Sequence, residues 1–108
     1  METDSTSQQF IYILRLTRPD MLVTGPTPEE NATVGDHFQY LKELAEQGSV
    51  LLVGRTQNND ESTFGLCIFE AGSEEEAREI MQRDPVVARG VMSAQLFPYR
   101  IALKGSRL

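Results

Sequence analysis

The chain holds a single histidine, His37, and a single cysteine, Cys67. Proton transfer near neutral pH therefore starts from His37, the one side chain whose ordinary titration lies in that range. Asp84, just before Pro85, is the carboxylate that could serve it. A carboxylate hydrogen-bonded to one imidazole nitrogen fixes the tautomer and favours the charged ring, leaving the other nitrogen to move a proton on a substrate. Such a pair is an acid/base device rather than a nucleophile. The plain structural alternatives are a helix-edge histidine satisfied by a backbone carbonyl and a helix-stop carboxylate. Tyr40, one turn after His37, could donate to a substrate oxygen or simply pack. Cys67 lies in the apolar run Leu66-Cys67-Ile68-Phe69 and reads as a small buried hydrophobe.

These side chains need elements to position them. Phe10 to Leu16 is β-branched and aromatic, with Phe10, Tyr12, Leu14 and Leu16 on one face and Ile11 and Ile13 on the other, as expected of a strand covered on both sides. Before it, Met1 to Gln9 is polar and reads as a frayed tail, giving a 1–9 tail and a 10–108 domain. Pro19, Gly25 and Pro26 break periodicity between Thr17 and Thr27, an irregular loop beside the site. Thr27-Pro28-Glu29-Glu30 then forms a capping box that opens a helix running to Gln47, with Gly48 as its stop. Val34, Phe38, Leu41, Leu44 and Ala45 make its sheet-facing stripe, and His37 lies on the edge of that stripe.

Val50 to Thr56 and Phe64 to Glu70 read as two strands joined by the polar segment Asn58 to Ser62. Ser73-Glu74-Glu75-Glu76 repeats the capping signal and opens a second helix with Ala77, Ile80 and Met81 inward, its acidic run a solvated face favoured by the helix dipole. Asp84-Pro85 ends that helix, and Met92 to Leu103 supplies a last strand with Pro98 at an edge or bulge. The order βαββαβ with right-handed crossovers predicts an α+β, ferredoxin-like domain: a four-stranded antiparallel sheet with both helices on one face. The helices then run antiparallel, which brings the end of the second, with Asp84, beside the first half of the first, with His37. The expected result is a His37–Asp84 pair at the mouth of a cleft between the two helices and the sheet. The other sheet face is bare and apolar, and a homodimer packing sheet on sheet in a dimeric α/β-barrel-like assembly would cover it.

Two segments resemble a known family. His37-Phe38-Gln39-Tyr40-Leu41-Lys42-Glu43-Leu44, followed by Gly48 and Leu51-Leu52-Val53-Gly54, is similar to the histidine-bearing helix and following strand of YCII-related (YciI-like) proteins. Asp84-Pro85-Val86-Val87-Ala88-Arg89-Gly90-Val91 resembles their Asp-Pro segment, and the match runs loosely from Phe10 to Leu103. The resemblance implies a ferredoxin-like dimer whose catalytic centre maps onto His37 and Asp84. Family members often carry a basic residue one turn before the histidine, where Val34 stands, and a proline after the strand-end glycine, where Arg55 stands. An anion-holding role is thereby moved to Arg55 or Arg15, or lost. Arg55, following the second strand, is placed to face the cleft, although a solvated surface arginine is its bland reading.

Composition narrows the function classes. Sixteen acidic against ten basic residues give a net charge of −6, with no basic block, which repels phosphate backbones and speaks against nucleic acid as a partner. One histidine and one cysteine cannot build a nitrogen or sulfur metal site in one chain, and the glycines are too scattered for a phosphate loop. No run approaches the length of a membrane span, the N-terminus lacks a signal-peptide pattern, and the lone cysteine suits a reducing compartment, so the expectation is a cytoplasmic protein. Two functions fit: a cofactor-independent enzyme acting on a small carbonyl-bearing or ring metabolite (lyase, isomerase or dehalogenating elimination), or a non-catalytic dimeric module that binds a small-molecule ligand. A ferredoxin-like oxygenase is a third, on fold analogy alone.

Overall fold

Thr27 and Ser73 decide where the two long helices begin. In the computed structural model, which describes residues 8–108, the Thr27 hydroxyl accepts from the Glu30 amide at 3.1 Å and the Glu30 carboxylate accepts from the Thr27 amide at 2.8 Å. Both halves of the capping box are thus present at the head of the 19-residue helix Pro28–Glu46. At the second helix Ser73 accepts from Glu76, but the Glu76 carboxylate reaches one residue further back, to the Gly72 amide at 2.8 Å. Gly48, at φ 90°, turns the chain out of the first helix in a conformation only glycine adopts without strain.

In chain order the elements are β1 (Gln8–Leu16), α1 (Met21–Thr24), α2 (Pro28–Glu46), β2 (Val50–Arg55), β3 (Gly65–Ala71), α3 (Glu74–Arg83), α4 (Pro85–Ala88) and β4 (Met92–Pro98). The sheet order is β2-β3-β1-β4 with every neighbouring pair antiparallel, the ferredoxin-like arrangement. Several boundaries differ from the sequence reading. β1 takes in Gln8 and Gln9, counted above with the tail, because their backbones pair with Ala71 and Glu70; Met1 to Ser7 lie outside the described residues. The loop after β1 contains the single turn α1, and the last strand stops at Pro98 rather than Leu103, because proline brings no N–H to the ladder. As expected of a strand proline, Pro98 ends an edge strand.

The core lies between the sheet and the helices. Phe10, Tyr12 and Leu14 of β1 alternate inward and are buried with Cys67 and Phe69 of β3, Leu41 of α2, and Ala77 and Met81 of α3. Tyr12 meets the Phe69 ring edge-on at 5.5 Å, the geometry that ring quadrupoles favour. On α2 the expected stripe is displaced. Thr33 and Leu41 are the buried positions, whereas Ala45 is exposed and Phe38 is 67% exposed. The helix seats only part of that five-residue stripe against a small sheet.

On the opposite sheet face the strand register lines up Leu52, Ile68, Ile11 and Phe97 in one row across all four strands. Leu52 and Phe97, on the outer strands, are about half exposed.

Candidate functional site

Three elements converge on one carboxylate. Pro85 cannot continue α3, so the chain breaks at Asp84, which adopts an extended backbone and becomes the N-cap of α4. Its side chain accepts the Val86 amide at 3.2 Å. Its Oδ2 accepts the Tyr12 hydroxyl of β1 at 2.8 Å. From α2, the Nδ1 of His37 lies 2.7 Å from Oδ1 and 2.9 Å from Oδ2. Asp84 is fully buried, with 0% exposure, while the His37 side chain keeps 15%.

Every neighbour of Asp84 is a donor, and an ionised carboxylate is the acceptor-only group that such a set satisfies. With the carboxylate accepting, Nδ1 is the donor of this contact and Nε2 is the ring nitrogen turned away from Asp84. Nε2 has no hydrogen-bond partner among the described residues. Burial is the largest influence raising the Tyr12 phenol, followed by Cys67 and Asp84, so its hydroxyl stays protonated and donates. Burial likewise pushes the Cys67 thiol up to about 12. Cys67 is an inert core residue.

His37 opens onto a cleft of about 610 Å³. Its walls come from the middle of α2 (Val34, His37, Phe38, Leu41), the loop after β1 (Met21, Leu22, Pro26), the end of β2 and the start of β3. No α3 residue lines it, so the cleft sits between α2 and the sheet rather than between the two helices. Gly65 gives the floor its depth. A Cβ there would lie 3.9 Å from that of Leu14 and 4.0 Å from that of Arg55, so a larger side chain would grow into the space.

The predicted site residues separate in space. His37 and Asp84 are in contact, and Arg55 lines the same cleft. Tyr40 does not: its hydroxyl donates to the Ile80 carbonyl at 2.7 Å, tying α2 to α3, and burial followed by the charge of Asp84 raises its phenol to about 12. Arg15 is also absent from the cleft lining. Its register puts it on the open sheet face, where the guanidinium lies 5.3 Å from the centre of the Phe64 ring. Tyr12, the third member of the cluster, escaped the sequence reading. The available signal was its hydroxyl at an inward-facing strand position, since a buried phenol needs an acceptor.

The YCII-related domain model matches residues 10–99, nearly the whole described chain. The chain belongs to the YCII-related family. By sequence, no curated protein matches it. Among solved structures it is similar to the 5-chloro-2-hydroxyhydroquinone dehydrochlorinase TftG of Burkholderia phenoliruptrix AC1100, solved with 2,5-dihydroxybenzoquinone, with TM-score 0.60, 20% identity, and 84% of this chain and 93% of that one covered. It is also similar to a Bacteroides thetaiotaomicron VPI-5482 protein named for antibiotic biosynthesis monooxygenases, with TM-score 0.52, 14% identity, and coverage of 94% and 96%. At these identities the likeness shows the shared fold. No helix among the described residues is long and apolar enough to cross a membrane.

Proposed function

We propose that this YCII-related protein is a cofactor-independent enzyme that moves a proton on a small carbonyl-bearing or ring metabolite. His37 is its acid/base, and Asp84 and Tyr12 hold it in place. One observation carries the reading: Asp84, saturated by donors and sealed from water, fixes the Nδ1–H tautomer and aims an unpartnered nitrogen at an apolar cleft. In the forward step Nε2 takes a proton from an acidic O–H or C–H of the substrate. The electron pair released either moves into a new double bond and expels a leaving group, as in elimination, or returns to a different carbon, as in isomerisation. The imidazolium formed is stabilised by the buried carboxylate and later returns its proton. Electrons balance within the substrate, so the step requires no redox carrier. The likeness to a dehydrochlorinase supports the elimination branch.

The homodimer belongs to the same proposal. The row Leu52, Ile68, Ile11 and Phe97 leaves an apolar band on the open sheet face, and a second copy would remove it from water. A reducing, cytoplasmic setting suits the lone buried thiol.

The test is turnover and binding measured side by side. Cyclic ketones, hydroxyquinones and halogenated phenols are screened by thermal shift on wild type and His37→Gln, and each binder is then followed by NMR in D2O for proton exchange or loss of halide. Wild type should catalyse exchange or elimination with at least one binder, and His37→Gln should lower that rate by about 10²–10⁴-fold. Binders that neither variant turns over would make the protein a binding module instead.

A further inference from the structure

The cleft is apolar along most of its wall and differs in charge from the rest of the molecule. The chain carries a net charge of −6, yet no aspartate or glutamate among the described residues lines the cleft. Its two ionisable side chains are both basic: His37 on the α2 wall and Arg55 at the end of β2. Three other arginines are neutralised by carboxylates, Arg18 by Glu30, Arg78 by Glu74 and Arg89 by Asp36. Arg55 has no carboxylate partner among the described residues. Among the described residues its side chain makes one hydrogen bond, from Nε to the Thr56 carbonyl at 3.2 Å, which engages neither terminal nitrogen.

From this arrangement we infer that the cleft takes a ring compound bearing one acidic oxygen (a phenol, enol or carboxylic acid) as its anion, and that Arg55 is the residue that selects the charge. The inference rests on the functional reading of the same cleft and adds the substrate class. A ring that fills the apolar cleft displaces water beside the exposed Arg55, so the contact between its guanidinium and one oxyanion strengthens as the ligand binds. The floor at Gly65, with no side chain beside Arg55, leaves room for the ring between that charge and the α2 wall. Where His37 then removes a C–H proton from the bound anion, the same fixed positive charge holds the negative charge that the ring gains.

The two ligands that decide it are 4-nitrophenol, at a pH where it is ionised, and 4-nitroanisole, the same ring with its oxygen methylated. Both are titrated calorimetrically into wild type, Arg55→Gln, Arg55→Lys and His37→Gln. Wild type should bind the phenolate about tenfold to a hundredfold more tightly than the ether, as expected for a hydrogen bond to a charged group. Arg55→Gln should abolish that preference, and Arg55→Lys should keep most of it. The side chain is exposed, so neither change should disturb the fold. His37→Gln should retain the preference. Equal binding of the two compounds by wild type, binding of neither, or a preference that survives in Arg55→Gln would overturn the inference. A preference lost only in His37→Gln would assign the oxygen to His37, overturning the role of Arg55 while leaving the acid/base proposal standing.

Discussion

The two nitrogens of the His37 ring face opposite surroundings. Nδ1 points into a sealed polar knot, where one fully buried carboxylate is met by a tyrosine from β1, a backbone amide from α4 and the imidazole itself. Nε2 faces the side where the wall is apolar, Phe38 stands 67% exposed and no acidic side chain is present. One side is built for stability and orientation. The other gains nothing for the fold from its exposed apolar surface, and such surface is usually kept for a ligand. Changes on the sealed side should therefore damage folding and chemistry together, and changes on the open side should spare the fold.

The largest effect is expected from Asp84→Asn on turnover. The Val86 amide is a fixed donor, so the new side-chain oxygen should stay at the Oδ1 position and still accept from Nδ1. The amide NH2 then faces the Tyr12 hydroxyl, which can turn and accept. The geometry survives and the negative charge is lost, so the imidazolium is no longer stabilised. Turnover of a compound found by the screen should fall about 10²–10⁴-fold while ¹⁵N NMR still reports the proton on Nδ1. Undiminished turnover with that tautomer intact would reduce Asp84 to a structural cap.

Asp84→Ala breaks the same knot without a replacement. Tyr12, Val86 and His37 each lose an acceptor in a dry interior, and the expected loss is about 3 kcal/mol in urea denaturation. Asp84 is fully buried, and only the histidine half of the pair reaches the cleft. Phe38→Ala, on the open wall, should change stability by less than about 0.5 kcal/mol. A large loss there would mean that the cleft wall is part of the core, and the contrast between the two sides would fail.

Much of this was legible in the residues, and what was missed shares a physical cause. Thr27, Ser73 and Asp84-Pro85 are local signals whose partners lie within four residues, so the helix starts and the helix stop could be read directly. The β-alternation at Phe10 to Leu14 was equally plain. What failed depended on partners far along the chain. Tyr12 finds Asp84 across 72 residues, and Tyr40 finds Ile80 across 40. Arg15 and Arg55 look alike in sequence, and only strand register sends one to the open face and the other to the cleft. Phe38 was assigned to the core because periodicity reports apolarity and not the extent of the surface that must receive it.

Tyr40→Phe tests a contact outside both sides of the ring. The hydroxyl that bonds the Ile80 carbonyl is removed and the ring stays packed, so stability should drop by about 1 kcal/mol. Turnover and ligand affinity should not change. A loss of affinity would return Tyr40 to the site and require α2 to rotate when the cleft fills.

The smallest effect concerns the loop that carries Met21, Leu22 and Pro26 over the cleft. Arg18 anchors it: its Nε and one terminal nitrogen donate to the Glu30 carboxylate at 2.9 and 2.6 Å, and the same terminal nitrogen reaches the Gly25 carbonyl at 3.3 Å. Arg18, followed by the Thr27 amide, holds the Glu30 carboxyl down at about 2, against an ordinary value of 4.5. A carboxylate depressed by folding stabilises the native state above its unfolded value, and that contribution disappears as pH falls through the folded one. The clamp should therefore act fully above about pH 4.5 and fade between there and about pH 2. Glu30→Gln isolates it, because glutamine at this position still accepts from the Thr27 amide and preserves the capping box while removing the charge. Thermal midpoints of wild type and Glu30→Gln, measured from pH 6 downwards, should be separated at the top of the range and converge toward pH 2. Parallel curves throughout would show that the contact between Arg18 and Glu30 contributes nothing through charge, and that the roof of the cleft is held by packing alone.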